Sequence, residues 1–121
     1  MPITAGIERT DEFRVEGALL TDVEGTLPMA VLSTPGMISM MELAAFALVR
    51  DELPSGHATV GFEVCIKHVG GALEGAMCSV TARLREVVEE RKLRFDVEVR
   101  EGDRTIGVGT HERRVVPLTR G

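Results

Sequence analysis

Ser33-Thr34-Pro35-Gly36-Met37-Ile38-Ser39-Met40-Met41-Glu42-Leu43-Ala44-Ala45-Phe46-Ala47-Leu48-Val49 is the stretch on which the fold turns. Thr34 is a good N-cap, and Pro35 suits the first helical position, where its missing N–H costs nothing. The pattern predicts a helix opening at Ser33-Thr34-Pro35, running to about Glu52 and ended by Leu53-Pro54-Ser55-Gly56. Met37, Ile38, Met40, Met41, Leu43, Ala44, Ala45, Phe46, Leu48 and Val49 put apolar side chains on nearly every side, as in a helix surrounded by protein. Between Glu24 and Arg50 the single charge is Glu42. A carboxylate in such surroundings is costly to keep ionised, so it is tuned in pKa, paired or functional.

Downstream of the helix the period changes to two. Val60, Phe62, Val64 and Ile66 are expected on one face of a strand, with Gly61, Glu63, Cys65 and Lys67 on the other. Gly70-Gly71 breaks the run, and a further strand is expected over about 76–88, with Cys78, Val80, Ala82 and Leu84 on one face. After Glu89-Glu90-Arg91-Lys92, the residues Leu93, Phe95, Val97 and Val99 alternate strictly with charged neighbours. Gly102-Asp103 then closes a hairpin into a strand from Arg104 to Val116. Upstream, residues 1–11 read as a loose polar lead-in, residues 13–19 as a weak strand, and residues 22–28 as a loop.

Three consecutive strands joined by short turns imply an antiparallel sheet, and a helix apolar nearly all round needs that sheet to curl about it. The expected class is α+β, with one central helix wrapped by a curved antiparallel sheet. The 121 residues suit a single domain over 1–121. With no Trp, no Tyr and four Phe, the core must be mainly aliphatic. A net charge of −5 and a pI near 5.2 speak against a nucleic-acid partner, because phosphate binding needs a basic face. Residues 1–9 hold no apolar run suited to a signal peptide, and the longest apolar stretch is too short to span a bilayer. Cys65 and Cys78, without an export signal, suit a reducing, cytoplasmic setting. Their neighbours suggest no metal site, because Cys65 and His68 point to opposite faces of a strand.

Strand parity puts His68 on the face of Val60, Phe62, Val64 and Ile66, which is expected to look at the helix. Glu42 and His68 are thus both expected inward, an arrangement suited to acid–base or nucleophilic work or to a buried structural pair. Helix N-termini carry unpaired N–H groups and a positive dipole end. Pro35 cannot donate, so Gly36 and Met37 are the candidates to polarise a carbonyl there. Eight residues of helix set Thr34 and Glu42 roughly 12 Å apart, too far to touch within one chain. Either a substrate spans them, or a dimer builds each site from the helix start of one subunit and the carboxylate of the other. His111 is expected exposed or cross-strand paired, His57 solvated, and the arginines at 83, 85, 113 and 114 mostly on solvated faces.

Ser33-Thr34-Pro35 opening a helix, Glu42 eight residues on, Thr59-Val60-Gly61, His68, and Gly107-Val108-Gly109-Thr110-His111-Glu112-Arg113 together resemble the fluoroacetyl-CoA thioesterase-like family of hot-dog proteins, over about residues 12–116. The resemblance implies a hot-dog fold of about five strands. It also implies hydrolysis of an acyl-CoA thioester by a homodimer or higher oligomer with sites at the subunit interface, without a cofactor. Its catalytic residues fall on Thr34, Glu42 and His68, with Gly36, Met37 and Gly61 expected at the substrate. Under it Glu42 attacks the carbonyl or activates water, His68 is the acid–base partner, and Thr34 orients the acyl group or forms a covalent intermediate. Residues 25–32 carry no aromatic residue where the fluoroacetyl-CoA enzyme has an aromatic lid, so a short or medium acyl group in a Met- and Leu-lined pocket is expected. The hot-dog strand order further implies that Cys65 and Cys78 form no hairpin disulfide. The alternative is a hot-dog module that binds acyl-CoA or another small ligand without turnover. A hydratase is disfavoured by the lack of an Asp and His five residues apart.

Overall fold

Seven strands and one long helix make up the fold in a computed structural model that describes residues 3–118. In chain order they are β1 Glu8–Arg14, β2 Leu20–Thr21, β3 Val31–Leu32, α1 Thr34–Val49, β4 His57–His68, β5 Met77–Val88, β6 Lys92–Glu101 and β7 Arg104–Pro117. The main sheet is antiparallel with order β1-β5-β6-β7-β4, and β2 and β3 form a separate two-stranded ribbon. This is the expected α+β architecture of one helix against a five-stranded sheet. β4 and β5 are not neighbours, and Cys65 and Cys78 are both free thiols.

Three boundaries differ from those expected. The lead-in is structured from Glu8, because β1 pairs with β5 from Glu8↔Arg83 to Arg14↔Met77 and buries Phe13. Gly17–Leu19 is a 3-10 turn rather than strand, entered through Gly17 at φ 59°. The α-helix ends at Val49, and Arg50–Glu52 tightens into a 3-10 turn.

The core lies between the helix and the concave face of the sheet. Met37, Met41, Ala44, Ala45 and Val49 of α1 are buried with Cys78, Val80, Ala82 and Leu84 of β5 and Leu93, Phe95, Val97 and Val99 of β6. Strict alternation in β5 and β6 delivers these side chains to one face. The helix, expected to be enclosed, is covered on one side only. Pro35, Ser39 and Leu43 face outward, and Leu43 is 55% exposed. Leu43, on the side away from the sheet, therefore stays at the surface of a single chain.

The parity expected for β4 holds only in its second half. A β-bulge between Gly61 and Glu63 sets Phe62 as an extra residue: Gly61 pairs with Arg113, Glu63 with Glu112 and Val64 with His111. Thr59 and Gly61 therefore face the core in the first half, and Val64, Ile66 and His68 in the second. Val60 and Phe62, expected inside, are 48% and 57% exposed.

Candidate active site

Ser33, not Thr34, caps the helix. Its Oγ accepts the N–H of Gly36 at 2.9 Å and its carbonyl accepts that of Met37 at 2.9 Å. Thr34 is the first helical residue and Pro35 the second, both tolerated there because first-turn N–H groups have no intrahelical partner. The N–H groups of Gly36 and Met37, expected to face a substrate, are engaged by Ser33, and both residues are buried. Relieved of capping, the Thr34 hydroxyl turns to the end of β4, where Oγ1 lies 2.8 Å from Nδ1 of His68.

A cleft of about 360 Å³ opens beside this pair, lined by Val31, Leu32, Thr34, His68, Val69, Gly70 and Gly71. Valine and leucine supply its apolar wall, whereas Met37 and Met41 lie in the core rather than in the pocket. Among the described residues, His68 Nε2 is the buried side-chain nitrogen left without a hydrogen-bond partner. A buried N–H in that state costs about 1–3 kcal/mol, so it is a group awaiting an acceptor.

Glu42 occupies a second locus, at the middle of the helix and the first half of β4. A Cβ on Gly61 would lie 2.7 Å from Glu42 Oε2, so glycine is what lets the carboxylate approach the strand. Arg113 Nη1 is 3.9 Å from the same oxygen. The Glu42 side chain is 39% exposed, not enclosed in the helix core as its apolar neighbours suggest. Arg113 is itself tightly held. Its Nε donates to Thr59 Oγ1 at 2.9 Å, its Nη2 to the Thr59 carbonyl at 3.1 Å and its Nη1 to His111 Nε2 at 3.3 Å, and its guanidinium lies 5.9 Å from the Phe46 ring centroid.

Arg113, expected mostly on a solvated face, is 7% exposed, and His111, expected exposed or cross-strand paired, is 2% exposed and takes the cross-strand place opposite Phe95. The inward face of β7 is Gly107, Gly109, His111, Arg113 and Val115, so an apolar side chain appears on it only at its far end. Glycine stands at 107 because a Cβ there would collide with Met37, and at 109 because it would collide with the backbone of β4. Ile106 is buried next to the inward Gly107 because it is the extra residue at the register shift between β6 and β7. The usable signal was cross-strand pairing: His111 lies opposite Phe95, an unmistakable core residue, and stacks on it with centroids 5.9 Å apart. Burial lowers the His111 pKa below its ordinary value, with Arg113 adding to the effect and the Glu63 carbonyl opposing it. Burial likewise lowers that of Arg113, against the attraction of Glu42.

Thr34 and His68 thus meet in one chain, and Glu42 does not join them there. Glu42 faces Gly61, seven residues and roughly 20 Å of strand from His68. Among the described residues no group of three or more His, Cys, Asp or Glu side chains is arranged to hold a metal, and no helix is long and apolar enough to cross a membrane.

The family described as fluoroacetyl-CoA-specific thioesterase, FlK, matches residues 15–119. The fluoroacetyl-CoA thioesterase of Streptantibioticus cattleyicolor is 36% identical over 88 residues; the match takes in 73% of this chain and spans 63% of that relative's length. A crystal structure concerned with the activity and substrate specificity of FlK superposes with a TM-score of 0.86 at 31% identity, over 96% of this chain and 90% of that one. A hot-dog-like protein from Thermanaerovibrio acidaminovorans, 21% identical, shares the fold with a TM-score of 0.84 over 93% and 83% of the two chains. By sequence over residues 15–119, and by a fold that superposes on FlK over 96% of the chain, the chain belongs to the fluoroacetyl-CoA-specific thioesterase family of hot-dog proteins.

Proposed function

We propose that this protein is a cytoplasmic acyl-CoA thioesterase whose sites form between two copies of the chain, and that it acts on short or medium acyl groups. The observation that carries the reading is the 2.8 Å contact between Thr34 Oγ1 and His68 Nδ1 beside an apolar-walled cleft. A hydroxyl against an imidazole is the arrangement of an activated nucleophile, and a third group that orients the imidazole completes it. If Nδ1 accepts the Thr34 hydroxyl, Nε2 carries the proton, and a carboxylate is its natural acceptor.

Glu42 of a second copy supplies that carboxylate. β4 is an edge strand, and antiparallel pairing of two β4 edges in a register centred between Val64 and Cys65 sets Gly61 of one copy beside His68 of the other. The same pairing covers the exposed helix face around Leu43. In the reaction Thr34 Oγ1 attacks the thioester carbonyl as its proton passes to His68 Nδ1. The C–S bond breaks, and His68 protonates the departing thiolate. Water then cleaves the threonyl ester, giving up its proton through His68 and restoring the hydroxyl.

Free-thiol release across an acyl-CoA panel, with Glu42→Gln as control, tests the activity. Turnover abolished by that substitution supports the reading, whereas binding without turnover points to a ligand-binding module. The shared site is tested by mixing Thr34→Ala and Glu42→Gln chains. Random dimerisation restores one intact site in half of the dimers, about a quarter of wild-type activity. Sites confined to single chains would give none.

A further inference from the structure

His111 is the one buried imidazole that the reaction above leaves without a task, and its two partners fix its state. Nδ1 lies 2.8 Å from the carbonyl oxygen of Glu63, which can only accept, so Nδ1 carries the proton. Nε2 lies 3.3 Å from Nη1 of Arg113, which can only donate, so Nε2 is a bare lone pair. The ring is neutral and held as a single tautomer. We infer that His111 is the positioning residue of the Glu42 half-site: anchored to the β4 bulge, it accepts Arg113 Nη1 and aims that arm of the guanidinium at the carboxylate, and protonating it in acid breaks this contact.

Four elements pack about the imidazole. β4 presents the Glu63 carbonyl at the bulge, β6 the Phe95 ring, β7 Arg113, and α1 the carboxylate of Glu42. A Cβ on Gly61 would lie 3.7 Å from both His111 Cε1 and Arg113 Nη1, so the imidazole, guanidinium and carboxylate share the space that glycine leaves. The anchor to Glu63 holds the carbonyl just past the extra residue Phe62, and so preserves the bulge that turns Gly61 toward Glu42. A second proton on the ring would point a cationic N–H at Arg113 and remove its acceptor. Two cations 3.3 Å apart with little access to water repel strongly, and what gives way is the Nη1 contact, since Nε and Nη2 of Arg113 stay bonded to Thr59. Burial makes the neutral ring the stable form at neutral pH. The kinetic consequence of this switch rests on the thioesterase reading, but the switch itself does not.

The test follows the Arg113 Nε–H resonance of the full chain by NMR between pH 4 and 8, assigned by its loss in Arg113→Lys, in wild type, His111→Ala and His111→Gln. Glutamine offers both a donor and an acceptor but does not titrate. The wild-type resonance is expected to move with a midpoint below 6.5, the ordinary histidine value. The movement vanishes in His111→Gln. In parallel, kcat/KM for the best-hydrolysed acyl-CoA is expected to fall by about tenfold or more in His111→Ala, to be partly recovered in His111→Gln, and to lose its lower acidic limb there. An Arg113 resonance that stays fixed over the whole range, or that titrates alike in wild type and His111→Gln, overturns the proposal. If the wild type cleaves no acyl-CoA, the thioesterase reading falls and the resonance alone decides the role of His111 by the same criteria.

Discussion

The hydroxyl of Thr34 and the imidazole of His68, 34 residues apart in sequence, meet at 2.8 Å where the helix begins and β4 ends. The contact exists because Ser33 does the capping, leaving Thr34 Oγ1 free to reach across. Thr34→Ala is expected to lower kcat by about 10²–10⁴-fold, the range for loss of a positioned acid–base or nucleophilic group. Thr34→Ser should keep far more. Thr34 is exposed, so stability should change by less than about 0.5 kcal/mol, which thermal melts of both variants check. Alanine activity close to wild type would assign the attack to Glu42 or water instead.

Gly61→Ala tests the Glu42 half-site without touching a polar group. The added methyl would stand 2.7 Å from Oε2 of Glu42, closer than van der Waals contact allows. The carboxylate must withdraw, and the expected result is a loss of about tenfold or more in kcat/KM with a folded protein by circular dichroism. Unaltered kinetics would mean that the carboxylate position next to the strand is irrelevant to turnover.

Stability should weaken in mild acid on account of His111. Its folded pKa lies below the unfolded value of about 6.5, so between the two the unfolded chain binds more protons and stability rises with pH. The contribution is complete above pH 6.5 and is lost as pH falls through the folded value, with a slope of at most about 1.4 kcal/mol per pH unit from this one group. Urea midpoints between pH 5 and 8 measure it. His111→Gln should flatten the profile in that window. A profile equally steep in the variant would assign the acid sensitivity elsewhere.

Phe95 joins the core to the site, fully buried on β6 and stacked on His111. Phe95→Ala is expected to cost about 3–5 kcal/mol through lost burial and a residual cavity. Because it also unseats the imidazole, it should lower activity in whatever fraction remains folded, while Phe95→Leu keeps most of the volume and should spare stability more than turnover. Equilibrium denaturation paired with thiol-release assays separates the two effects.

The helix and the two strands β5 and β6 were legible because each repeats a simple period: apolar residues at helical spacing from Met37 to Val49, and strict alternation from Cys78 to Leu84 and from Leu93 to Val99. Thr34, Glu42 and His68 stood out as polar groups in positions that periodicity marks. His111 and Arg113 did not, since their strand face begins with Gly107 and Gly109 and offers no apolar pattern to follow before Val115. The bulge at Gly61 was equally hidden. One extra residue exchanges the two faces of everything before it, and nothing in the local spelling of Thr59-Val60-Gly61-Phe62-Glu63 distinguishes that exchange from regular alternation.

Local sequence by itself determined the elements of this protein, their order and the chemical types available to a site, because propensity, capping and periodicity act over a few residues. Which side chains face one another was decided by tertiary structure. Ser33 or Thr34 as cap, Gly61 toward Glu42, and His111 as a single tautomer between Glu63 and Arg113 depend on register between strands distant in the chain and on burial that only packing creates. A hydrogen bond from Arg113 to an imidazole on the same strand face has meaning only once Phe95 and the helix have removed the water around it.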